Sequence, residues 1–212
     1  MNVDIISDVV CPWCFVGKRR FERALAARHD LDVTVTWHAF QLNPDMPAEG
    51  MDRATYLATK FGSDERAEAI YADIAEAGKA EDIAFAFDRI PRTPNTIDAH
   101  RVIRLAGIHG VQDGVVEAVF HGYFEDGVNI GDNEQLIALA ATGGLDAAVT
   151  RDHLASDDAI EEVRAEDLQA RQLGINGVPC FVVDNRFAIS GAQAPEVFQR
   201  IFDTAQQASA AE

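Results

Sequence analysis

The sequence predicts an α/β fold whose small sheet is interrupted by a large all-helical insertion. Residues 3–7 form a short apolar run, and a Cys-x-x-Cys motif and a helical pattern follow it directly. From about residue 52 to residue 142 the pattern is helical almost throughout. Strand patterns return only after residue 180. Because strands bracket one long helical stretch, we expect a single sheet assembled from both ends of the chain.

The N-terminal elements follow from periodicity and proline placement. The apolar run at 3–7 predicts a central strand, and residues 15–28 carry a helical pattern. Pro12 suits the first turn of that helix, where its missing N–H costs nothing. Val33, Val35 and Trp37 alternate with polar residues, which predicts a second strand.

The middle and C-terminal elements are bounded by turn residues. Five amphipathic stretches predict an antiparallel helical cluster, at residues 54–61, 65–77, 96–109, 115–124 and 134–142. Near the C-terminus we expect a helix that Gly174 caps, a hairpin that turns at Asp184-Asn185, and a final helix. These elements span residues 160–173, 181–183, 186–190 and 195–208.

Composition limits the partners. The chain has 212 residues, of which 48% are hydrophobic, enough to bury a core without disulfide bonds. It holds 35 acidic and 18 basic residues, a net charge of −17, which argues against nucleic acid and anionic lipid as partners. No apolar run reaches about 18 residues, so no membrane-spanning helix is expected. The oligomeric state stays open.

The N-terminal segment has neither a basic region nor a long apolar stretch of the secretory kind. We therefore expect a cytoplasmic protein. Cytosolic thiols are kept reduced, so a cysteine pair there is more often catalytic or metal-binding than structural.

Cys11 and Cys14 carry the predicted chemistry. Cys11 is expected where a strand ends and a helix begins, and the free N–H groups and partial positive charge of a helix N-terminus stabilise a thiolate. Cys14 follows one helical turn later, where it can attack a mixed disulfide formed at Cys11. The pair thus supplies an attacking and a resolving thiol.

Zinc binding is the competing interpretation of the cysteine pair. A tetrahedral zinc site usually takes four protein ligands. Beyond the pair only Cys180 remains, and His100, His109 and His121 are too widely spaced to form a helical pair. We therefore expect no metal site. A structural disulfide is also disfavoured, because so short a loop restricts little chain entropy.

Five segments of the chain form a recognisable series. In chain order they are residues 8–14 (DVVCPWC), 41–44 (QLNP), 94–101 (PNTIDAHR), 174–179 (GINGVP) and 190–193 (SGAQ). Together they resemble the DsbA-like thioredoxin superfamily, and specifically its FrnE-like branch. The resemblance covers nearly the whole chain and implies a thioredoxin fold interrupted by a helical domain. The implied domains are a thioredoxin-like domain at 1–48 and 150–212 and an inserted helical domain at 49–149. The resemblance also implies that Val178-Pro179 is a cis-proline loop facing the redox pair.

Several residues near the cysteine pair are candidates for contact with a substrate. With Pro179 as part of the catalytic loop, the Val178 backbone is expected to pair with substrate. Trp13 is a candidate substrate contact. Gly191 and Gln193 precede the last helix, whose N-terminus suits a carboxylate such as that of glutathione, although turn chemistry alone explains them equally.

Two further assignments concern buried polar groups. Asp4 or Asp8 is a candidate acceptor for the proton of Cys14, with a simple polar strand end as the alternative. His100 and Arg101 either face the cleft or serve in packing and capping. Cys180 is expected to be a small buried hydrophobe.

These features predict a thiol–disulfide oxidoreductase that acts on a disulfide-containing protein or a low-molecular-weight thiol. It would need no metal or organic cofactor, and glutathione is a candidate co-substrate. Two alternatives stay open. One is a glutathione-dependent isomerase or transferase of a small molecule, although the resembling isomerases carry serine at the position of Cys11. The other is a non-enzymatic, chaperone-like binding module.

Overall fold

The computed structural model describes residues 1–210, apart from the side chains at positions 64 and 210. Its main sheet has four strands: β1 (Asn2–Ser7), β2 (Thr34–Ala39), β5 (Cys180–Val183) and β6 (Phe187–Ser190). Their order in the sheet is β2-β1-β5-β6. β1 pairs with β2 in parallel and with β5 in the antiparallel sense, so the predicted central position of the first strand is confirmed.

Helices cover both faces of this sheet and fill the middle of the chain. The helices are α1 (Pro12–Ala26), α2 (Arg53–Phe61), α3 (Asp64–Lys79), α4 (Ile97–Ile108), α5 (Gln112–Phe124), α6 (Asn133–Thr142), α7 (Ala147–Leu154), α8 (Ile160–Gln172) and α9 (Pro195–Ala210). Asp52, Ser63, Asp132 and Asp146 cap α2, α3, α6 and α7, because each side chain accepts a backbone N–H of the first turn. The α/β fold with a helical insertion is confirmed.

The structure adds elements that the pattern did not predict. Two short strands, β3 (Met51–Asp52) and β4 (Arg92–Thr93), pair in the antiparallel sense inside the insertion. Two-residue strands carry no periodicity, and their partners lie far apart in the chain. Helix α7 was missed because it has only 8 residues. Helix α1 begins at Pro12, which confirms the predicted proline in its first turn, although the helical pattern itself was assigned only from residue 15.

Aromatic side chains join the sheet to the insertion in one core. Phe21 on α1 stacks on Phe181 of β5, with ring centroids 5.6 Å apart. Six residues earlier on α1, Phe15 stacks on Phe120 of α5 at 5.2 Å. Helix α1 therefore packs between the sheet and the insertion, and both sides fix its position.

The opposite face of the sheet holds a smaller cluster under α8. Its buried members are Ile6, Phe40, Ala170 and Cys180. Cys180 precedes Phe181 in β5, and successive residues of a strand point to opposite faces. Cys180 thus lies in this cluster, whereas Cys11 and Cys14 belong to the main core.

Candidate active site

Cys11 is the N-cap residue of α1. Its backbone is extended, with φ −93° and ψ 109°, and Pro12 takes the first helical position. The Cys11 N–H donates to the Asp8 carbonyl at 3.0 Å, and the Cys14 N–H donates to the Cys11 carbonyl at 3.0 Å. No acidic residue stands in the first turn of α1, so no carboxylate there offsets the positive end of the helix. The positive end of α1 therefore lies at Cys11.

Cys14 is fully buried, with 0% of its surface exposed. Burial raises the pKa of its thiol well above the ordinary value, and the hydrogen bond and charge of Cys11 raise it further. The Ser7 hydroxyl and the Asp8 backbone oppose this rise in pKa only in part. Cys11 and Cys14 are not joined by a disulfide, so the structure is that of the dithiol form. The raised pKa of Cys14 favours its protonated thiol.

The loop at Val178 and Pro179 faces Cys11. The Val178–Pro179 peptide bond is cis. The Cys11 thiol lies 3.5 Å from the Val178 carbonyl oxygen and donates to it. On the other side of the loop, the Gly191 N–H donates to the Pro179 carbonyl at 2.8 Å. The structure thus brings the predicted residues Cys11, Cys14, Val178, Pro179 and Gly191 into one region.

Helix α1 approaches this loop closely at Gly17. A Cβ atom built on Gly17 would lie 2.8 Å from Cγ of Pro179 and 3.3 Å from Cζ of Phe181. Sequence reasoning missed Gly17. Its place one turn after Cys14, on a helix where glycine is disfavoured, was the available signal.

The remaining predicted contacts differ in their surroundings. Trp13 is 38% exposed beside the pair, which makes it available to a substrate. Gln193 donates through its side chain to the Ser190 carbonyl at 2.9 Å and through its backbone to the Gly191 carbonyl at 2.9 Å. Gly191 has φ +82°, a conformation that favours glycine. These bonds account for a turn at Gly191 and Gln193, and a substrate role for the two residues stays a prediction.

The polar residues near the pair divide into two groups. Asp8 is fully buried, and its carboxylate accepts the Leu42 N–H at 2.7 Å and the Val10 N–H at 3.4 Å. His100 is 4% exposed, with Nε2 placed 3.5 Å from Oδ1 of Asp8. Asp4 instead pairs with His38 at 3.0 Å. Of the two candidate residues, Asp8 is therefore the one whose backbone contacts the cysteine pair.

Arg101 has a packing and capping role. Its guanidinium donates to the carbonyls of His153, Ser156 and Asp158, at 2.6–2.7 Å, and pairs with Asp98 at 2.6 Å. These bonds tie α4 to the loop between α7 and α8.

Ser7 is the other residue that sequence reasoning missed. It ends β1 beside Cys14, and within the described part of the chain its hydroxyl has no nitrogen or oxygen partner. The period of two along β1 was the available signal, since it places Ser7 on the same face as Val3 and Ile5.

Two features are absent from the residues that the structure describes. No group of three or more His, Cys, Asp or Glu side chains among them is arranged to hold a metal ion. None of the described helices is long and apolar enough to cross a membrane.

Comparisons with known proteins agree with this geometry. The family model of the DSBA-like thioredoxin domain matches residues 2–203. A probable DsbA oxidoreductase from Streptomyces coelicolor is 38% identical, with a TM-score of 0.89 over 98% of this chain and 90% of that one. The uncharacterized protein YwbO of Bacillus subtilis is 27% identical, over 98% of each chain.

A more distant structure shares the fold. The cytosolic disulfide reductase DsbM from Pseudomonas aeruginosa, in a structure with glutathione, has a TM-score of 0.68 at 17% identity, over 98% of this chain and 100% of that one. The family model and the Streptomyces relative each extend over almost all of the residues described above. The chain therefore belongs to the DSBA-like thioredoxin domain family.

Proposed function

We propose that this protein is a thiol–disulfide oxidoreductase in which Cys11 attacks and Cys14 resolves. One observation carries the proposal. The Cys11 sulfur sits at the N-terminus of α1, 3.5 Å from the Val178 carbonyl, with the buried Cys14 thiol one helical turn behind it. A nucleophile, a backbone contact for substrate and a resolving thiol thus meet at one point.

The reaction proceeds in two exchanges. The Cys11 thiolate attacks one sulfur of a substrate disulfide, and the other substrate sulfur leaves as a thiolate. Cys14 then attacks Cys11, which releases the second substrate sulfur and leaves a Cys11–Cys14 disulfide. The protein loses two electrons and the substrate disulfide gains them. The same steps run in reverse when an oxidised protein meets a dithiol.

We propose a disulfide-containing protein or a low-molecular-weight thiol as the partner, with glutathione as a co-substrate and no metal or organic cofactor. The DsbM structure contains glutathione, which supports a thiol of that kind. In this proposal the Val178 backbone pairs with the substrate as an added strand, Pro179 shapes the loop, and Trp13, Gly191 and Gln193 border the bound thiol. The cytoplasm is the proposed setting, and the FrnE-like branch is the proposed subgroup.

A trapping experiment tests the proposal. A Cys14→Ser variant keeps the attacking thiol and stops at the mixed disulfide, so partners captured in cells should be released by reductant. Cys11→Ser should capture none and should lose turnover on a model disulfide. Full reductase activity in Cys11→Ser would overturn the mechanism.

The two alternatives give different patterns in the same variants. A glutathione-dependent isomerase should keep its activity in Cys14→Ser, because no internal disulfide forms in its cycle. A binding module should keep its function when both cysteines are replaced.

A further inference from the structure

Three buried polar groups near the cysteine pair are not used in the exchange described above. Ser7 lies beside Cys14, and His100 lies against Asp8, whose backbone contacts Cys14. Ser7 Oγ has no nitrogen or oxygen partner among residues 1–210, and His100 Nε2 reaches Oδ1 of Asp8 only at 3.5 Å, longer than an ordinary hydrogen bond. Buried polar atoms in folded proteins are almost always paired, because an unpaired one costs free energy. Two weakly satisfied polar atoms, one beside Cys14 and one on the partner of Asp8, are therefore candidates for a role in the reaction.

Ser7 and His100 also border the same space. A small cavity of about 10 Å³ is lined by Ser7, Val9, Trp37, His38, His100, Ile103, Val116 and Phe120. This volume is at the threshold for one water molecule, which needs polar partners of the kind that Ser7 and His100 offer. Ser7 and His100 therefore line one space with room for about one water molecule.

We propose that His100, paired with Asp8, receives the proton that Cys14 loses during resolution, and that Ser7 and the cavity carry it. This inference rests on the proposed oxidoreductase function. It assigns a role to the helical insertion, since α4 supplies the base for a thiol of the thioredoxin-like part.

Resolution starts from the mixed disulfide, in which Cys11 is joined to the substrate sulfur. The S–H bond of Cys14 breaks, and its electron pair forms the bond to Cys11 Sγ. The bond between Cys11 and the substrate breaks, and its electron pair leaves with the substrate sulfur as a thiolate. The proton moves to Ser7, Ser7 gives up its own proton through the cavity, and His100 Nε2 takes it.

Asp8 makes His100 suited to this task. Protonation of Nε2 creates a cation 3.5 Å from Oδ1 of Asp8, in an interior where opposite charges attract strongly. The Val10 and Leu42 amides hold the carboxylate in position. Because Cys14 is 0% exposed, bulk water and hydroxide reach its thiol only slowly, and a base inside the protein is the faster acceptor.

The other titratable groups of the neighbouring elements have partners of their own. His38 is the one other titratable residue that lines the cavity, and it pairs with Asp4. The remaining groups pair as follows: Asp98 with Arg101, Arg104 with Glu166, Arg171 with Asp167, and Asp113 and Glu117 with Lys18. The buried Nε2 of His153, on α7, has no hydrogen-bond partner among the described residues, but His153 does not line the cavity. His100 is thus the titratable residue that lies on both the cavity and Asp8.

Stopped-flow reaction of the reduced protein with one equivalent of 5,5′-dithiobis(2-nitrobenzoate) separates the two exchanges. Attack by Cys11 releases the first coloured thiolate at a rate that depends on reagent concentration. Resolution by Cys14 releases the second coloured thiolate at a rate that is independent of reagent concentration. In His100→Gln we expect the first phase to stay within about twofold of the parent and the second to slow at least about tenfold at neutral pH. The second phase of the variant should also rise more steeply with pH, because hydroxide replaces the lost base.

His38→Gln is the matched control, because His38 lines the same cavity but pairs with Asp4 rather than with Asp8. It should leave both phases unchanged. The relay is overturned if His100→Gln resolves like the parent across the pH range, or if His38→Gln slows resolution equally. Should His100→Gln fail to fold by circular dichroism, Ser7→Ala must slow the second phase, and unchanged resolution there overturns the relay. A parent protein that releases only one equivalent contradicts the proposed function itself.

Discussion

The thiol of Cys11 lies 3.5 Å from the carbonyl oxygen of Val178, a residue 167 positions away in the sequence. This contact joins the N-terminus of α1 to the loop that precedes β5. It depends on how closely α1 packs against that loop, and the packing can be tested at a position outside the cysteine pair.

Gly17→Ala should lower both stability and turnover. Alanine usually stabilises a helix relative to glycine by about 1 kcal/mol. Here the added Cβ would meet Pro179 Cγ at 2.8 Å, so α1 and the loop must separate. We expect a lower melting temperature and slower attack by Cys11 on a model disulfide. Gly177→Ala is the control, because a Cβ there meets nothing within 4 Å, and an equal loss in both variants would contradict this explanation.

Alkylation of the reduced protein should be selective for Cys11. Burial raises the pKa of Cys14 and of Cys180, which lowers the thiolate fraction of both, whereas Cys11 caps α1. At about pH 8 we expect Cys11 to react with iodoacetamide faster than either, because the thiolate is the reacting form and burial lowers its fraction at Cys14 and Cys180. Peptide mapping over a time course measures the three rates. Comparable early labelling at Cys14 would rule out its protected position.

The stability of the reduced protein should fall at alkaline pH. Cys14 and Cys180 have raised pKa values in the folded state, so above the unfolded value of about 8.5 the unfolded chain binds fewer protons than the folded one. The contribution of these two thiols to the free energy of unfolding is therefore complete below about pH 8.5 and decreases as the pH rises further. Urea unfolding between pH 8 and pH 10.5 should show this slope, and Cys14→Ala should reduce it. If the free energy of unfolding falls equally steeply with pH in Cys14→Ala, the raised pKa of Cys14 is not the cause of the loss.

Lys18 should be a strong contributor to stability. It is 2% exposed, and its Nζ pairs with Asp113 at 3.2 Å, with Glu117 at 3.1 Å and with Glu22. Burial opposes the charge, but the three carboxylates raise the pKa of Lys18 above its ordinary value. Lys18→Met should cost about 2 kcal/mol, less than a fully buried pair, because the carboxylates are 32–60% exposed. Chemical denaturation measures the loss. Lys79→Met, at an exposed pair with Glu76, should change little, and an equal effect of both would refute the role of burial.

Cys180→Ala should preserve turnover. Its side chain packs with Ile6, Phe40 and Ala170 in the cluster under α8, whereas Cys11 and Cys14 belong to the main core. We expect a stability loss of about 1 kcal/mol from the small cavity. Peptide mapping of the oxidised protein should show Cys11–Cys14 as the dominant linkage. A dominant Cys11–Cys180 linkage would instead indicate a mechanism with three thiols.

The sequence by itself determined those helices, strands and turns whose formation depends on residues close together in the chain. The run before Cys11, the proline inside the motif and the alternation around Trp37 predicted β1, α1 and β2. Asp184-Asn185 predicted the hairpin turn, and both residues have positive φ, at 48° and 56°. The cysteine spacing predicted the redox pair, because spacing of one helical turn is a local property.

Tertiary structure alone decided which distant residues meet. No local pattern shows that Cys11 faces Val178, that His100 lies against Asp8, or that Gly17 leaves room for Pro179. The same holds for β3 and β4, whose two-residue pairing depends on residues 51–52 and 92–93 being brought together by the insertion. Such contacts arise when apolar faces pack against each other, so their geometry depends on the whole core rather than on neighbours in the chain.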